Sequence, residues 1–158
     1  MPKLSAGLLV YRYHEKILQI LLVHPGGPFY KKDIGEWSIP KGEYLEGEDA
    51  LATAKKEFTE ETGNILTQTI FTPLQPVKIK SGKVISAWTV EADFDLPYIS
   101  SNLFEMEWPP RSGKMSLFPE TDKAEWFTLS DARKKILTGQ LSFLDQLEGM
   151  LEKKKHNQ

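Results

Sequence analysis

Three glutamates, Glu57, Glu60 and Glu61, stand at i, i+3 and i+4 in a stretch that also repeats Leu51, Ala54 and Phe58 at helical intervals. This pairing of carboxylates with an apolar stripe constrains the fold more than any other feature of the chain. At about 100° per residue the three acids share one helical turn and an arc of about 100° beside the stripe. Such a helix, predicted over residues 48–62 and ended by Gly63, has to lie half-buried with its acid groups at the seam between core and solvent. Like charges packed on one turn repel one another, so their pKa values rise or stability falls unless a cation sits among them. With no His or Cys in the stretch, oxygen donors favour Mg²⁺, Mn²⁺ or Ca²⁺ over zinc. Taken alone, the three positions also suit a solvated acidic face, because glutamate is a good helix former and acidic helices commonly bind nothing.

The rest of the chain reads as strands and turns around this helix. Residues 4–12 and 17–24 are β-rich runs joined by the polar segment 13–16, which predicts a hairpin. Residues 25–35 hold two prolines and three glycines and read as a loop. The short apolar piece Trp37-Ser38-Ile39 stops at Pro40. Residues 65–72 and 77–80 read as strands, Ser81-Gly82 as a turn, and 84–94 as a longer strand. Residues 95–122 carry no clear period, the mark of a functional segment or of an element hidden from pattern reading. Residues 124–129 read as a last strand, Ser130 as the cap of a short helix, and Leu144, Leu147 and Leu151 as the stripe of a final amphipathic helix. No repeat or linker divides the 158 residues, so one domain over 1–158 is expected.

Composition excludes several classes of function. The chain has no cysteine, which removes disulfides, thiolate metal sites and cysteine nucleophiles and fits a reducing cytoplasm. Lys+Arg 20 against Asp+Glu 22 gives a formal charge of -2, which argues against nucleic acid as the partner. No apolar stretch approaches the ~20 residues that cross a bilayer. The apolar run near the start is broken by Tyr11, Arg12 and His14, so it reads as a first strand and not as a signal peptide.

The wider spacing decides between the two readings of the acidic turn. Gly42, five residues, Glu48, seven residues, Lys56-Glu57-Phe58, one residue, Glu60-Glu61, one residue and Gly63 together resemble the Nudix box. At background frequencies of about 7% for each of six fixed Gly or Glu positions, a chance match is ~10⁻⁷ per window. The resemblance implies an α+β fold, the Nudix-type α/β/α sandwich with a mixed sheet. It further implies a loop–helix–loop whose carboxylates hold a divalent cation against a diphosphate. On that footing Glu57, Glu60 and Glu61 are the expected metal ligands, the Lys41 carbonyl adds a backbone ligand, and Mg²⁺ is the expected ion with Mn²⁺ its alternate. Glu48 falls on the opposite side of an ideal helix and is expected to orient the loop. Two positions depart from the family pattern: Lys56 stands where Arg is usual, and Asn64 where an aliphatic residue is usual. Lysine matches the charge of arginine but not its bidentate fork.

The implied reaction is attack of water on phosphorus in a nucleoside diphosphate linked to another group. It needs a base, and Glu120, shortly before the last strand, is the first choice, with Glu107 second and the box carboxylate Glu60 a further catalytic candidate. The sequence WSIPKGE resembles the WxxPKG approach of Nudix enzymes that act on dinucleoside polyphosphates, diphosphoinositol phosphates or capped RNA ends. Lys41 in that approach suits a substrate with extra phosphates. Trp37, Lys32 and Arg111 are further expected substrate contacts, with Lys31 and Lys114 as possible phosphate partners and Phe29, Tyr30, Trp88 and Trp108 as candidate base-stacking rings. The expected partner is therefore a nucleotide-like small molecule, a dinucleoside polyphosphate or a nucleoside triphosphate. The alternative is a catalytically silent Nudix-fold module that senses a nucleotide or another protein. Such modules commonly lose box glutamates, whereas this chain keeps Glu48, Glu57, Glu60 and Glu61.

Overall fold

The computed structural model describes residues 3–29, 33–96 and 103–156. β1 (Leu4–His14) and β2 (Ile17–Pro25) form the expected hairpin. β3 (Lys41–Tyr44) leads into α1 (Ala50–Thr62), followed by the short β4 (Thr72–Pro73) and β5 (Val77–Lys78) and by β6 (Val84–Glu91). β7 (Leu103–Glu107), β8 (Met115–Pro119), β9 (Thr121–Thr128), α2 (Leu129–Lys135) and α3 (Leu141–His156) complete the order. β4, β6, β1, β2 and β9 lie side by side, with β3 paired to β1 and β5 to β6. β1 runs parallel to β6 and antiparallel to β2 and β3, so the sheet is mixed.

The burial of β1 explains the layers. Residues 5–11 are buried without a break, which a strand achieves only when both faces of its sheet are covered. Ala6, Leu8 and Val10 pack in one core with Ala54 and Phe58 of α1. Leu9 and Tyr11 join the opposite core with Phe143, Leu144, Leu147 and Leu151 of α3. This is the expected α/β/α sandwich, and no helix among the described residues is long and apolar enough to cross a membrane.

Three local expectations need correction. The strand expected over 65–72 is reduced to β4, and Ile65 and Ile70 stand 74% and 79% exposed. Their β-branched side chains favour extended backbone, but with no packed surface beneath them that preference does not become a strand. The stretch 95–122 contains the β7–β8 hairpin, whose strands pair only with each other. Its pattern escapes sequence reading because the outward face carries exposed Leu103, Met115 and Leu117 where polar residues are expected. The last strand starts at Thr121, and Thr128 caps α2 in place of Ser130, its Oγ1 accepting from the Asp131 N–H at 3.2 Å.

Candidate active site

The segment before β3 is held from several sides. Ser38 exchanges two backbone hydrogen bonds with Val23 of β2 (2.8 and 2.9 Å). The Gln140 carboxamide oxygen accepts the Ile39 N–H at 3.0 Å, and Leu8 of β1 donates to the Pro40 carbonyl at 3.1 Å. Trp37 serves this anchoring. It is 1% exposed, packs edge-on against Phe127 and donates its indole N–H to Asp33 at 3.1 Å. A ring buried to that degree offers no face to a ligand, so Trp37 is a core anchor and not the expected substrate contact.

α1 then brings its acids to this segment. Asp49 caps the helix by accepting from the Ala52 N–H at 3.1 Å, and Gly63 ends it at φ 74°. Gly42 admits no side chain, since a Cβ there would lie 2.2 Å from the Glu57 Cδ. Glu61 accepts the Lys41 N–H at 3.1 Å. Its carboxyl is pushed up to about 8, by burial first and then by the charge of Glu57, with Lys41 opposing the rise. Burial and then Glu60 raise Glu57 as well. Burial lowers Lys41, with Lys83 adding to the effect and Glu61 among the acids that oppose it. Glu60 lies further out, its carboxylate 3.8 Å from the exposed Lys56 ammonium one turn earlier. Glu48 precedes the helix and accepts the Leu45 N–H at 2.7 Å, fixing the loop as expected.

A cavity of about 270 Å³ opens at this point, walled by Glu36, Lys41, Glu61 and Glu120 together with Pro25 and Leu137. Larger clefts of about 440 and 630 Å³ lie beside the end of α3 and beside Glu43 to Glu48, but neither gathers acids from separate elements around a lysine. Glu120 is thus brought to the box, and its charge bears on both Glu57 and Glu61. Glu107 is not brought there. It closes its own hairpin by accepting the Arg111 N–H at 2.7 Å, and neither residue lines the cavity. Trp108 meets Phe29 edge-on at 5.3 Å. Tyr30, Lys31 and Lys32 lie outside the described residues.

Among the described residues no three acidic or imidazole groups stand already converged on an ion position. The donor set nevertheless fits a hard divalent cation. Glu57, Glu61 and Glu120 offer oxygen only, and burial first and neighbouring carboxylates second raise Glu57 and Glu61, so a cation among them would relieve repulsion.

Sequence reading missed Glu36, His24 and Asp122. His24 is buried at the end of β2, with Nδ1 2.9 Å from Asp122 Oδ1 and Nε2 3.3 Å from Glu36 Oε2. The only signal for it was a polar residue closing the apolar run of β2.

A family model described as the NUDIX domain matches residues 1–147. The NUDIX domain of Shewanella oneidensis NrtR, solved with ADP ribose, is similar at a TM-score of 0.68 and 18% identity, over 96% of this chain and 89% of that one. A Caenorhabditis elegans Ap4A hydrolase binary complex is similar at 0.62 and 23% identity, over 95% and 98%. A MutT NUDIX hydrolase from Burkholderia pseudomallei is similar at 0.63 and 20% identity, over 92% and 98%. Among curated proteins none matches.

Proposed function

The chain belongs to the Nudix hydrolase family, and from that premise we propose that it is a divalent-cation-dependent pyrophosphohydrolase acting on a nucleoside diphosphate linked to another group. The observation that carries this reading is the cavity lined by Glu61 and Glu120, from distant parts of the chain, together with Lys41. Glu57, Glu60, Glu61 and the Lys41 carbonyl would hold Mg²⁺, or Mn²⁺ in its place. When bound, that ion neutralises phosphate oxygens and favours hydroxide at neutral pH. Gly42 lets the Glu57 carboxylate lie against the backbone, and Glu48 fixes the turn that delivers it. Glu120 is the base that receives the proton of the attacking water. Lys41, which lines the same cavity, offers its ammonium to a phosphate oxygen for a charge-assisted hydrogen bond.

A dinucleoside polyphosphate is the leading substrate class, with a nucleoside triphosphate next. Lys41 supports it, because added phosphates bring charge that a cation alone leaves unbalanced. The likeness to an Ap4A hydrolase points the same way, while the ADP-ribose-bound neighbour keeps a two-phosphate substrate in the comparison. The silent-module reading is disfavoured by the four retained box glutamates. A hydrolysis screen over nucleoside triphosphates, dinucleoside polyphosphates, nucleotide sugars and diphosphoinositol phosphates in Mg²⁺ tests the proposal. Binding without turnover across the whole panel would overturn it.

A further inference from the structure

His24 sits between two carboxylates that come from different elements. On one side is Asp122 of β9, and on the other is Glu36, twelve residues further along and on the wall of the cavity that holds Glu61 and Glu120. The sheet makes this meeting through an irregularity. β2 and β9 pair residue for residue until His24 opposes Lys123, and the next β2 residue, Pro25, opposes Thr121. Asp122 is therefore the extra residue of a bulge. Bulges turn a side chain out of its regular alternation and recur beside active sites. Here the bulge accompanies a carboxylate that reaches the His24 ring instead of continuing the ladder.

The ring has little freedom. It is buried, lies edge-on to Trp37 at 5.2 Å, and meets a carboxylate at each nitrogen. An ionised carboxylate only accepts hydrogen bonds, so a ring nitrogen that binds one does so through its own N–H. Glu36 is largely covered, with 17% of its side chain exposed. A carboxylate tied at one oxygen in this way keeps its other oxygen directed by the tie, as outer partners orient inner groups in metal and catalytic sites.

We propose that His24 is a positioning residue for hydrolysis, holding Glu36 at the cavity wall so that Glu36 accepts one hydrogen bond of the attacking water while Glu120 takes its proton. The inference rests on the pyrophosphohydrolase reading above. A water molecule has two O–H groups, and a nucleophile aimed at phosphorus is best fixed when both are engaged. In the step itself the water oxygen forms the new bond to phosphorus. The bond from phosphorus to the bridging oxygen breaks, and the leaving phosphate departs with the electron pair. One proton passes to Glu120, and Glu36 only accepts a hydrogen bond from the remaining O–H.

Substitutions at His24 separate its two contacts. In His24→Gln the amide nitrogen takes the place of Nε2 and keeps a donor for Glu36. In His24→Asn the amide nitrogen takes the place of Nδ1 and keeps only the donor for Asp122. With Mg²⁺ and the best substrate of the hydrolysis screen, Glu36→Gln and His24→Asn should each lower kcat by about 10–100-fold at little-changed KM. His24→Gln should stay within about threefold of wild type, and the double variant His24→Asn/Glu36→Gln should be no slower than Glu36→Gln, because the two residues act as one unit. Thermal melts accompany each variant. If His24→Asn lacks a melting transition, Asp122→Asn takes its place in the double variant, with the same requirement that losses do not multiply. Equal losses in His24→Gln and His24→Asn, or losses that multiply in the double variant, would overturn the positioning role while leaving the hydrolase intact. A wild-type chain that cleaves no phosphoanhydride would overturn the underlying reading, and this inference with it.

Discussion

Glu61→Gln provides a test of the site that needs no substrate. In the folded chain the Glu61 carboxyl is pushed from its usual 4.5 up to about 8. Between those pH values the folded state binds a proton that the unfolded state releases. Stability therefore falls as pH rises through that window, because the native state is the one holding more protons. At ~1.4 kcal/mol per pH unit the full difference is close to 5 kcal/mol above pH 8, and the part already lost at pH 7 is about 3 kcal/mol. Glutamine has no charge to desolvate, and its amide oxygen can still accept the Lys41 N–H that Glu61 accepts. Denaturant unfolding in EDTA at pH 5 and pH 8 should show wild type losing several kcal/mol relative to the variant as pH rises, with the two nearly equal at pH 5. Adding Mg²⁺ at pH 8 should reverse the order, since only the carboxylate gains from the cation. A Glu61→Gln chain less stable than wild type at pH 8 in EDTA would refute the reasoning and assign Glu61 to a structural ion pair.

Three further outcomes are expected. Glu60→Gln should lower kcat by at least ~100-fold, and excess EDTA should abolish wild-type turnover; full activity in EDTA would rule out the cation. Lys41→Met should reduce kcat/KM for a tetraphosphate-bridged dinucleotide far more than for a nucleotide sugar, and equal losses would show that Lys41 only shapes the turn. Gly42→Ala drives a methyl group to 2.2 Å from the Glu57 Cδ, so it should cost about 1–3 kcal/mol in melts and displace the carboxylate from the site; a fully active, equally stable variant would show that this close approach is dispensable.

Much of the site was legible in the chain because its logic is local. Glu57, Glu60 and Glu61 declare themselves by spacing on one helix, and Gly42 and Gly63 by the turns that bound it. Glu120 was singled out by its position before the last strand, and it lines the same cavity as Glu61 and Lys41. The residues that escaped are brought together by pairing between distant strands. His24 and Asp122 are 98 positions apart, and their meeting depends on a bulge that no periodicity announces. Trp37 misled for a related reason, since a tryptophan in a turn-rich stretch looks the same whether it packs inward or outward. Here Phe127 and His24 draw it inward. The β7–β8 hairpin escaped because its strands are five residues each and its outer face breaks the usual alternation.

The burial of β1 on both faces has a consequence for how the cavity opens. Amide hydrogens on such a central strand exchange with solvent only when the whole molecule unfolds, and segments bonded to it share that protection. Pro40 and Lys41 are bonded to β1, so the wall bearing Lys41 belongs to the last part of the chain to exchange. Glu120 lines the same cavity from between a bulge and a hairpin with no fully buried residue, its carbonyl accepting the Gly26 N–H at 3.0 Å. Its neighbourhood has the few buried contacts typical of segments that open locally at low free energy. The part of the cavity bearing Lys41 is thus the more firmly held, and the part bearing Glu120 adjoins a hairpin that rests on fewer buried residues.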